Sequence, residues 1–185
     1  MTDPLTTLSG TLDAVWAQLA RGASDRDAPA RHPVLATAGR SGGEARMVVL
    51  RSADRDGARV EIHTDRRSAK VGELVAEPRA SLLVWDPAQR LQIRLRARFE
   101  VLAGEAVAPL WQALPGAARA LYGGRPAPGT PIPEPGDHIA DPAAHAFCVL
   151  RGALSEIETL HLAKLGHRRT LFRAAEGWQG RWCAP

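Results

Sequence analysis

Between residues 46 and 98 the chain consists of short apolar runs separated by turn residues. The most regular run is Gln89–Val101, in which Leu91, Ile93, Leu95 and Ala97 alternate with polar residues. A period of two places successive side chains on opposite faces of a β-strand, so one face packs and the other meets solvent. The stretch therefore predicts a mainly β fold, a β-barrel with flanking helices.

The same signals place the other strands and the turns between them. Glycines in the segment 39–43 predict a hairpin loop, and the Asp-Arg-Asp-Gly sequence at 54–57 predicts a turn. Each remaining apolar run is then a strand. We expect strands at 33–37, 46–52, 58–64, 81–85, 89–101, 145–153, 157–165, 170–173 and 178–182.

Helical spacing of apolar residues appears at the N-terminus and again after the third strand. The first helix is predicted over about 5–21, with Ser9 or Thr11 as its N-cap. Ser68 is expected to cap a second helix over 69–76, which Pro78 ends. The chain of 185 residues is long enough to bury one core and is predicted to be a single domain, 1–185.

The stretch after the long strand is less regular. Two short helices are predicted at 105–114 and 117–122, because Pro115 separates them. Residues 123–144 are rich in Gly and Pro, too constrained for a free linker and too broken for regular structure. We expect them to form an ordered surface excursion, or a partly mobile lid, inside the same domain.

Composition and charge narrow the class of protein. The net charge is +4, but the basic residues do not form runs and aromatic residues are few, so no nucleic-acid surface is expected. No apolar run reaches the length of a bilayer span, and the N-terminus does not resemble a signal peptide. Cys148 and Cys183 are far apart and are expected to be reduced thiols, which indicates a cytoplasmic protein without membrane contact.

Basic and hydroxyl side chains lie at the ends of the predicted strands. Arg46 begins a strand that Arg51 ends, and Thr64 ends its hairpin partner. Ser68 and Lys70 begin the next helix, whose free amides can bind a phosphate, and Arg46 could add a planar guanidinium. Lys70 is one of only two lysines among 24 basic residues, which suggests a requirement specific to its position.

The polar face of the long strand offers a second kind of contact. Gln92 is a neutral amide that can donate to one heteroatom and accept from another. A phosphate site and a polar amide together suit a mononucleotide-like cofactor. Taken singly, each of these residues is also explained as a solvated surface group. Arg94, Arg96 and Arg98 are interpreted as a charged outer face or a subunit-contact surface.

The order of these motifs resembles a known family. RMVVLR at 46–51, HTDRRSAK at 63–70, EPRASLLVW at 77–85 and RLQIRL at 90–95 resemble the pyridoxamine 5′-phosphate oxidase family of FMN-binding split barrels. The C-terminal HRRTLFRAAEGWQGRWCAP is similar to the family's final motif. The resemblance covers about 30–101 well and 145–185 more loosely, and the central stretch is closest to a divergent, uncharacterised branch.

The resemblance implies a split barrel that binds FMN at the interface of a homodimer. By position, Arg46, Ser68 and Lys70 would hold the FMN phosphate. Gln92 would reach the flavin from the neighbouring subunit, and Arg169 would lie against the isoalloxazine. The segments lining the flavin and the ribityl chain, chiefly with their backbone, would comprise Met47, Val48, Val49, Leu50, Arg51, His63 and Thr64.

Three departures from the family pattern bear on the substrate. Ala69 stands where the family has an arginine, although Arg66 or Arg67 could replace it in space. The family's Trp-Gln-Gly is Leu-His-Leu at 160–162, which removes a tryptophan that contacts the flavin. The arginine that holds the substrate phosphate is replaced by Leu165, while His167 persists as a substrate-side candidate.

Loss of that arginine would remove a charge-assisted clamp on the substrate phosphate, at a cost of roughly 2–3 kcal/mol. The sequence therefore favours an FMN-dependent oxidoreductase that acts on a substrate other than pyridoxamine 5′-phosphate. In that hypothesis Arg169 stabilises the anionic reduced flavin and the substrate passes a hydride to the ring.

A second hypothesis, from another class of function, remains open. The chain could be a non-catalytic FMN-binding or haem-binding protein that serves as a carrier or sensor. Hydrolase and Walker motifs are missing from the sequence. No metal site is expected, because Asp137, His138, Asp141 and His145 lie in the Pro-rich stretch without a third ligand at fixed spacing.

Overall fold

The computed structural model describes residues 3–164 and 166–185. Within them, nine strands form one antiparallel sheet, and helices pack around it. The strands are β1 (Val34–Gly39), β2 (Gly42–Met47), β3 (Leu50–Asp54), β4 (Arg59–Asp65), β5 (Arg79–Asp86), β6 (Leu91–Ala103), β7 (Phe147–His161), β8 (Arg168–Arg173) and β9 (Gly180–Cys183). The α-helices are α1 (Leu8–Ser24), α2 (Ala69–Ala76), α3 (Ala108–Ala113) and α4 (Gly116–Arg119).

The strand order closes the sheet into a barrel. The main path runs β2-β1-β5-β6-β7-β4-β3, so the consecutive strands β2 and β3 lie at its opposite ends. Only Val48 and Val49 join these two strands, and so short a link spans at most about 10 Å. The two ends of the path must therefore meet, which curls the sheet. Strands β8 and β9 extend from β7 as a separate arm.

The main core fills the barrel. The alternate residues Leu91, Ile93 and Leu95 of β6 are fully buried, as the period of two predicts. Both longer helices contribute apolar side chains to the same cluster, α1 through Val15, Trp16 and Leu19, and α2 through Val71 and Leu74. A smaller cluster lies apart from it, under α3, and comprises Val107, Tyr122, Phe147 and Val149. The predicted β-barrel with flanking helices is confirmed.

The segment from 145 to 165 corrects one prediction. The two strands expected at 145–153 and 157–165 are one strand, β7, within the described residues, and Leu165 lies outside them. Against β6 the register shifts so that Arg96 pairs with Glu156 and Ala97 with Leu154. The extra residue, Ser155, forms a bulge that reverses which side chains face inward. The change of alternation at this bulge explains the erroneous prediction of a strand end.

The motif at 46–51 corrects a second prediction. The single strand expected over 46–52 is two strands, since β2 ends at Met47 and β3 begins at Leu50. The intervening Val48 donates its N–H to the carbonyl of Pro33 at 3.0 Å instead of joining the sheet ladder. The apolar run therefore crosses the seam of the barrel.

The first helix starts and ends later than expected. It begins at Leu8, and its N-cap is Thr7, whose hydroxyl accepts from the Gly10 N–H at 3.1 Å; neither Ser9 nor Thr11 is the cap. Gly22, which was expected to mark the helix end, lies inside the helix. A glycine is needed there because the following segment packs closely against it. A Cβ at Gly22 would lie 2.6 Å from the carbonyl of Ala30.

The stretch between β6 and β7 is anchored to the barrel. The first predicted helix is a 3-10 turn (Gly104–Val107) that leads into α3, and the second is the shorter α4. Beyond them, the Gly123 N–H donates to Asp65 at 3.0 Å, and Arg67 donates to the carbonyl of Gly124 at 2.9 Å. The excursion over 123–144 thus begins against the junction of β4 and α2.

Candidate functional site

The predicted phosphate contacts Ser68 and Lys70 lie with Thr64 where β4 passes into α2. The Lys70 ammonium donates to the Thr64 hydroxyl at 3.1 Å, and the Ser68 hydroxyl lies 3.4 Å from the same oxygen. Arg46 extends from β2 towards α2, where its guanidinium donates to Glu73 at 2.8 Å. We call Arg46, Thr64, Ser68 and Lys70 the cationic cluster.

The two cations of the cluster are close enough to affect each other. Burial, and then the positive charge of Arg46, lower the pKa of Lys70 below its ordinary value, while Glu73 partly offsets the effect. A second cation near a half-buried lysine disfavours the charged form of that lysine. A bound anion would relieve that repulsion, so the arrangement is suited to an anionic ligand.

The N-terminus of α2 adds backbone donors to the cluster. Ser68 occupies the N-cap position, but its hydroxyl donates to the Asp65 carbonyl at 2.7 Å and makes no cap bond to the helix amides. The first turn carries no acidic side chain. Amides at a helix N-terminus without a side-chain acceptor, together with the helix dipole, favour a bound anion.

Arg46 is held in place by two residues that the sequence analysis did not identify. Its guanidinium donates to the Thr37 hydroxyl as well as to Glu73, and Thr37 itself donates to Glu73 at 2.5 Å. Thr37 lies on β1 and Glu73 on α2, so the group forms only after strand and helix pack. Glu73 is the one acidic residue inside α2, and this was the sequence feature that could have indicated a partner for Arg46.

Arg51 and His63 lie on another face of the barrel. Burial, and then the charge of Arg51, lower the pKa of His63 to about 4. The His63 ring packs edge-on against Phe147, with 5.1 Å between ring centroids, in the aromatic cluster that includes Tyr122. The His63 side chain therefore lies apart from the Thr64 hydroxyl, as expected for neighbours on a strand.

Open space lies beside the cluster, next to Ala69. A cavity of about 670 Å³ lies between the β1–β2 hairpin and α2, with Ala69, Gly72 and Glu73 among its lining residues. Arg67 does not fill this space, because it is paired with Asp65 at 2.7 Å and with the Gly124 carbonyl. Arg66 is exposed. The sequence suggested that Arg66 or Arg67 could replace the family's arginine at position 69. The ion pair with Asp65 and the bond to Gly124 already hold Arg67 elsewhere.

The other predicted flavin contacts form a second group. Gln92 on β6 pairs in register with Leu160 on β7, and Leu160 pairs with Arg169 on β8. Cross-strand partners project from the same face of a sheet. Because the alternate residues Leu91 and Ile93 fill the core, this face is the outer one. We call Gln92, Leu160 and Arg169 the Gln92 row.

The two groups lie at different positions along β7. Thr64 of the cationic cluster pairs with Cys148 on β7, whereas the Gln92 row crosses β7 at Leu160, twelve residues further on. At about 3.3 Å per residue, the strand contour between them is roughly 40 Å. Cys148 also faces the core, whereas Leu160 faces outward. The two groups therefore lie at different ends of β7 and face opposite sides of the sheet.

The rest of the strand motif is divided between the barrel core and the outer face. Val48 and Leu50 are buried in the barrel core, whereas Met47 is 65% exposed. Met47 pairs with Val34, which pairs with Leu83 on the other side, so these side chains share the outer face. Trp85, 45% exposed, lies beside Gln92 on that face. An apolar strip therefore continues the Gln92 row.

The remaining predictions concern the substrate side, a metal site and a membrane span. His167 is exposed just before β8, and Leu165, at the position of the family's substrate-phosphate arginine, is outside the described residues. Residues 3–164 and 166–185 hold no group of three or more His, Cys, Asp or Glu side chains placed to bind a metal ion. In the same residues, no helix combines the length and apolarity that a bilayer crossing requires.

Comparison with known proteins supports the family resemblance. Residues 13–103 match the family described as pyridoxamine 5′-phosphate oxidase, FMN-binding domain. That range includes the whole cationic cluster and Gln92. No curated protein sequence matches the chain.

Solved structures extend the likeness beyond that domain. The chain is similar to a pyridoxamine 5′-phosphate oxidase-related, FMN-binding protein from Nostoc punctiforme, with 26% identity and a TM-score of 0.74 over 94% of this chain and 96% of that one. It is also similar to PhzG from Burkholderia lata, solved in complex with tetrahydrophenazine-1-carboxylic acid, with 20% identity and a TM-score of 0.70 over 100% and 94%. A haem-binding protein from Mycobacterium smegmatis shares the fold, with 17% identity and a TM-score of 0.53 over 86% and 58%. The predicted family resemblance and the split-barrel fold are confirmed.

Proposed function

We propose that this chain, which carries the FMN-binding domain of the pyridoxamine 5′-phosphate oxidase family over residues 13–103, is an FMN-dependent oxidoreductase. In this proposal it acts as a homodimer, with each FMN bound between two subunits. The substrate is a small molecule other than pyridoxamine or pyridoxine 5′-phosphate.

The observation that carries the proposal is the cationic cluster. Lys70, the Thr64 hydroxyl and the free amides of α2 provide donors to one anionic group, and Arg46 adds a second cation close by. The Ser68 hydroxyl would join them by turning its proton away from the Asp65 carbonyl. A terminal phosphate with two negative charges matches this set of donors better than a carboxylate, since it presents three acceptor oxygens. The residues present therefore fit the phosphate end of FMN.

The separation of the two groups supports a dimer. The cationic cluster and the Gln92 row lie twelve residues apart along β7 and on opposite faces of the sheet, so the outward-facing row can serve a cofactor bound to another copy. The exposed apolar strip beside the row, with Met47 and Trp85, is suited to burial in such an interface. The proposed interface thus presents Gln92 and Arg169 together to the flavin of the partner.

FMN, when bound, supplies the capacity to accept and release a hydride, and the chain supplies binding, orientation and charge. The cationic cluster would fix the phosphate. The Gln92 amide would donate to and accept from the polar edge of the ring, and the Arg169 guanidinium would place a positive charge beside it. The absence of the phosphate-clamping arginine, with Leu165 in its place, supports the proposal of a different substrate.

The visible absorption spectrum of the purified protein tests the proposal. We expect a yellow protein with flavin bands, or a colourless one that acquires them when FMN is added and quenches FMN fluorescence on titration. A preparation that takes up no FMN would overturn the proposal, and a Soret band would identify a haem protein instead. Rapid flavin reduction by pyridoxamine or pyridoxine 5′-phosphate would contradict the substrate assignment.

A further inference from the structure

Glu158 connects two arginines on the outer face of the barrel. It lies on β7, two residues before Leu160 of the Gln92 row and on the same face. Its carboxylate accepts from Arg94 of β6 at 2.5 Å and lies 3.2 Å from the guanidinium of Arg169 on β8. The Glu158 side chain is only 12% exposed, so one largely buried carboxylate lies between two cations.

The bonding of this trio is incomplete. Of the buried side-chain atoms without a hydrogen-bond partner in the described part of the chain, three belong to this trio: the Nε of Arg94, the Oε1 of Glu158 and the Nε of Arg169. The contact between Arg169 and Glu158 is therefore an ion pair without hydrogen-bond alignment. A buried polar atom without a partner is costly, and three in one group indicate a site that a further contact completes.

We infer that Glu158 is a positioning residue, which holds Arg169 beside the flavin and offsets part of its positive charge. The inference rests on the proposed function, in which Arg169 lies against the ring. With Glu158 ionised, two arginines share one negative charge, and the trio carries a net charge of +1. Glu158 would thereby limit how strongly the site favours the anionic reduced flavin over the neutral oxidised form.

The same sheet provides a matched control. Glu156 also lies on β7, with a side chain that is 12% exposed, between Arg96 of β6 at 3.4 Å and Arg173 of β8 at 3.1 Å. It is one carboxylate between two arginines on the same three strands and the same face. It differs in lying two residues further from the Gln92 row. Loss of its charge therefore reproduces the structural effect at a greater distance from the proposed flavin.

The test is the reduction potential of bound FMN in the wild-type protein and in Glu158→Gln, Glu158→Asp and Glu156→Gln. Glutamine keeps an acceptor for Arg169 but removes the negative charge. In Glu158→Gln we expect reduced FMN to gain about tenfold over oxidised FMN, which raises the two-electron potential by about 30 mV. Glu156→Gln should change that ratio less than about twofold, and Glu158→Asp should lie near the wild-type value.

The possible outcomes are distinct. A potential that falls or stays unchanged in Glu158→Gln, or that rises equally in Glu156→Gln, would overturn the role of Glu158 while FMN binding stands. If the wild-type protein binds no FMN, the proposed function fails first and this inference fails with it. Thermal melting of each variant gives the fraction folded, and Glu158→Asp serves as the folded comparison if the glutamine variant melts early.

Discussion

The cationic cluster and the Gln92 row differ in how the fold creates them. The cluster gathers side chains from β2, β4 and α2 at a half-buried junction, where hydrogen bonds fix them before any ligand binds. The row arises from strand register alone, on the outer face of three strands. In the proposed function the first is a preformed anion site, whereas the second is a surface that another copy covers.

That difference predicts how each region responds to mutation. Changes in the cluster should weaken binding of the phosphate and be felt by any ligand that shares it. Changes in the Gln92 row should leave the phosphate contacts of the same chain intact. They should weaken only the contacts to a flavin that is bound to another copy of the chain.

Lys70→Ala should have the largest effect on FMN binding. It removes a charge-assisted hydrogen bond to the phosphate, which contributes about 2 kcal/mol, so the Kd should rise roughly 30-fold. The exposed Lys164, the other lysine of the chain, provides the control through Lys164→Ala. Equal affinities of the two variants in a fluorescence titration would mean that the phosphate lies elsewhere.

His63 tests where the cluster ends on β4. Its pKa of about 4 in the folded chain lies below the ordinary value of about 6.5. The unfolded chain therefore binds the extra proton first, and the stability conferred by neutral His63 is lost as the pH falls from about 6.5 towards 4.

Between pH 7 and pH 5 this residue should cost the wild-type protein roughly 2 kcal/mol of unfolding free energy. Urea unfolding of His63→Gln should show a smaller loss over the same interval. Its affinity for FMN should equal that of the wild-type protein, because only the His63 backbone is assigned to the cofactor. A weaker affinity would extend the site to the aromatic face of the strand.

Arg46→Ala should weaken FMN binding by about tenfold, less than Lys70→Ala, because Arg46 already shares its donors with Thr37 and Glu73. Arg96, which is 54% exposed on the outer face, supplies a matched arginine control. The comparison is made by the same titration at constant salt. Loss of affinity in Arg96→Ala as large as in Arg46→Ala would indicate a general charge effect.

Gln92→Ala should have the smallest effect, about fivefold in Kd, since it removes a neutral hydrogen bond contributing about 1 kcal/mol. Gln89→Ala, in the exposed turn before the same strand, is the control. Isothermal titration calorimetry of both variants gives the ratio. If Gln92→Ala binds FMN as tightly as the wild-type protein does, Gln92 does not contact the flavin.

The sequence predicted what depends on neighbours along the chain. Alternation in β6 placed the core face correctly, and Thr64, Ser68 and Lys70 lie within seven residues, so one strand-to-helix junction brings them together. The bulge at Ser155 and the seam after Met47 were mispredicted. Each depends on pairing between strands distant in sequence, and locally the first resembles a strand end and the second a continuous strand.

The same distinction explains the parts of the site that were missed. Thr37 and Glu73, which were not predicted, contact the predicted Arg46 from two other elements, and these hydrogen bonds follow from the packing of α2 on the barrel. Glu158 meets Arg94 and Arg169 only through the register of three strands. Neither group has a spacing signature in the sequence, because the contacts are set by tertiary structure.

Mixing two complementary variants tests the central claim that each FMN joins the cationic cluster of one chain to the Gln92 row of another. One chain carries Lys70→Ala and the other carries Gln92→Ala with Arg169→Ala, and separately tagged copies allow the mixed dimer to be isolated. If the two regions come from different chains, each mixed dimer contains one intact site and one doubly altered site.

We therefore predict that FMN titration of the mixed dimer gives one site per dimer with wild-type affinity, although neither parent dimer has such a site. If both regions served the same cofactor within one chain, every site in the mixed dimer would carry one defect. A mixed dimer without any site of wild-type affinity would contradict the account.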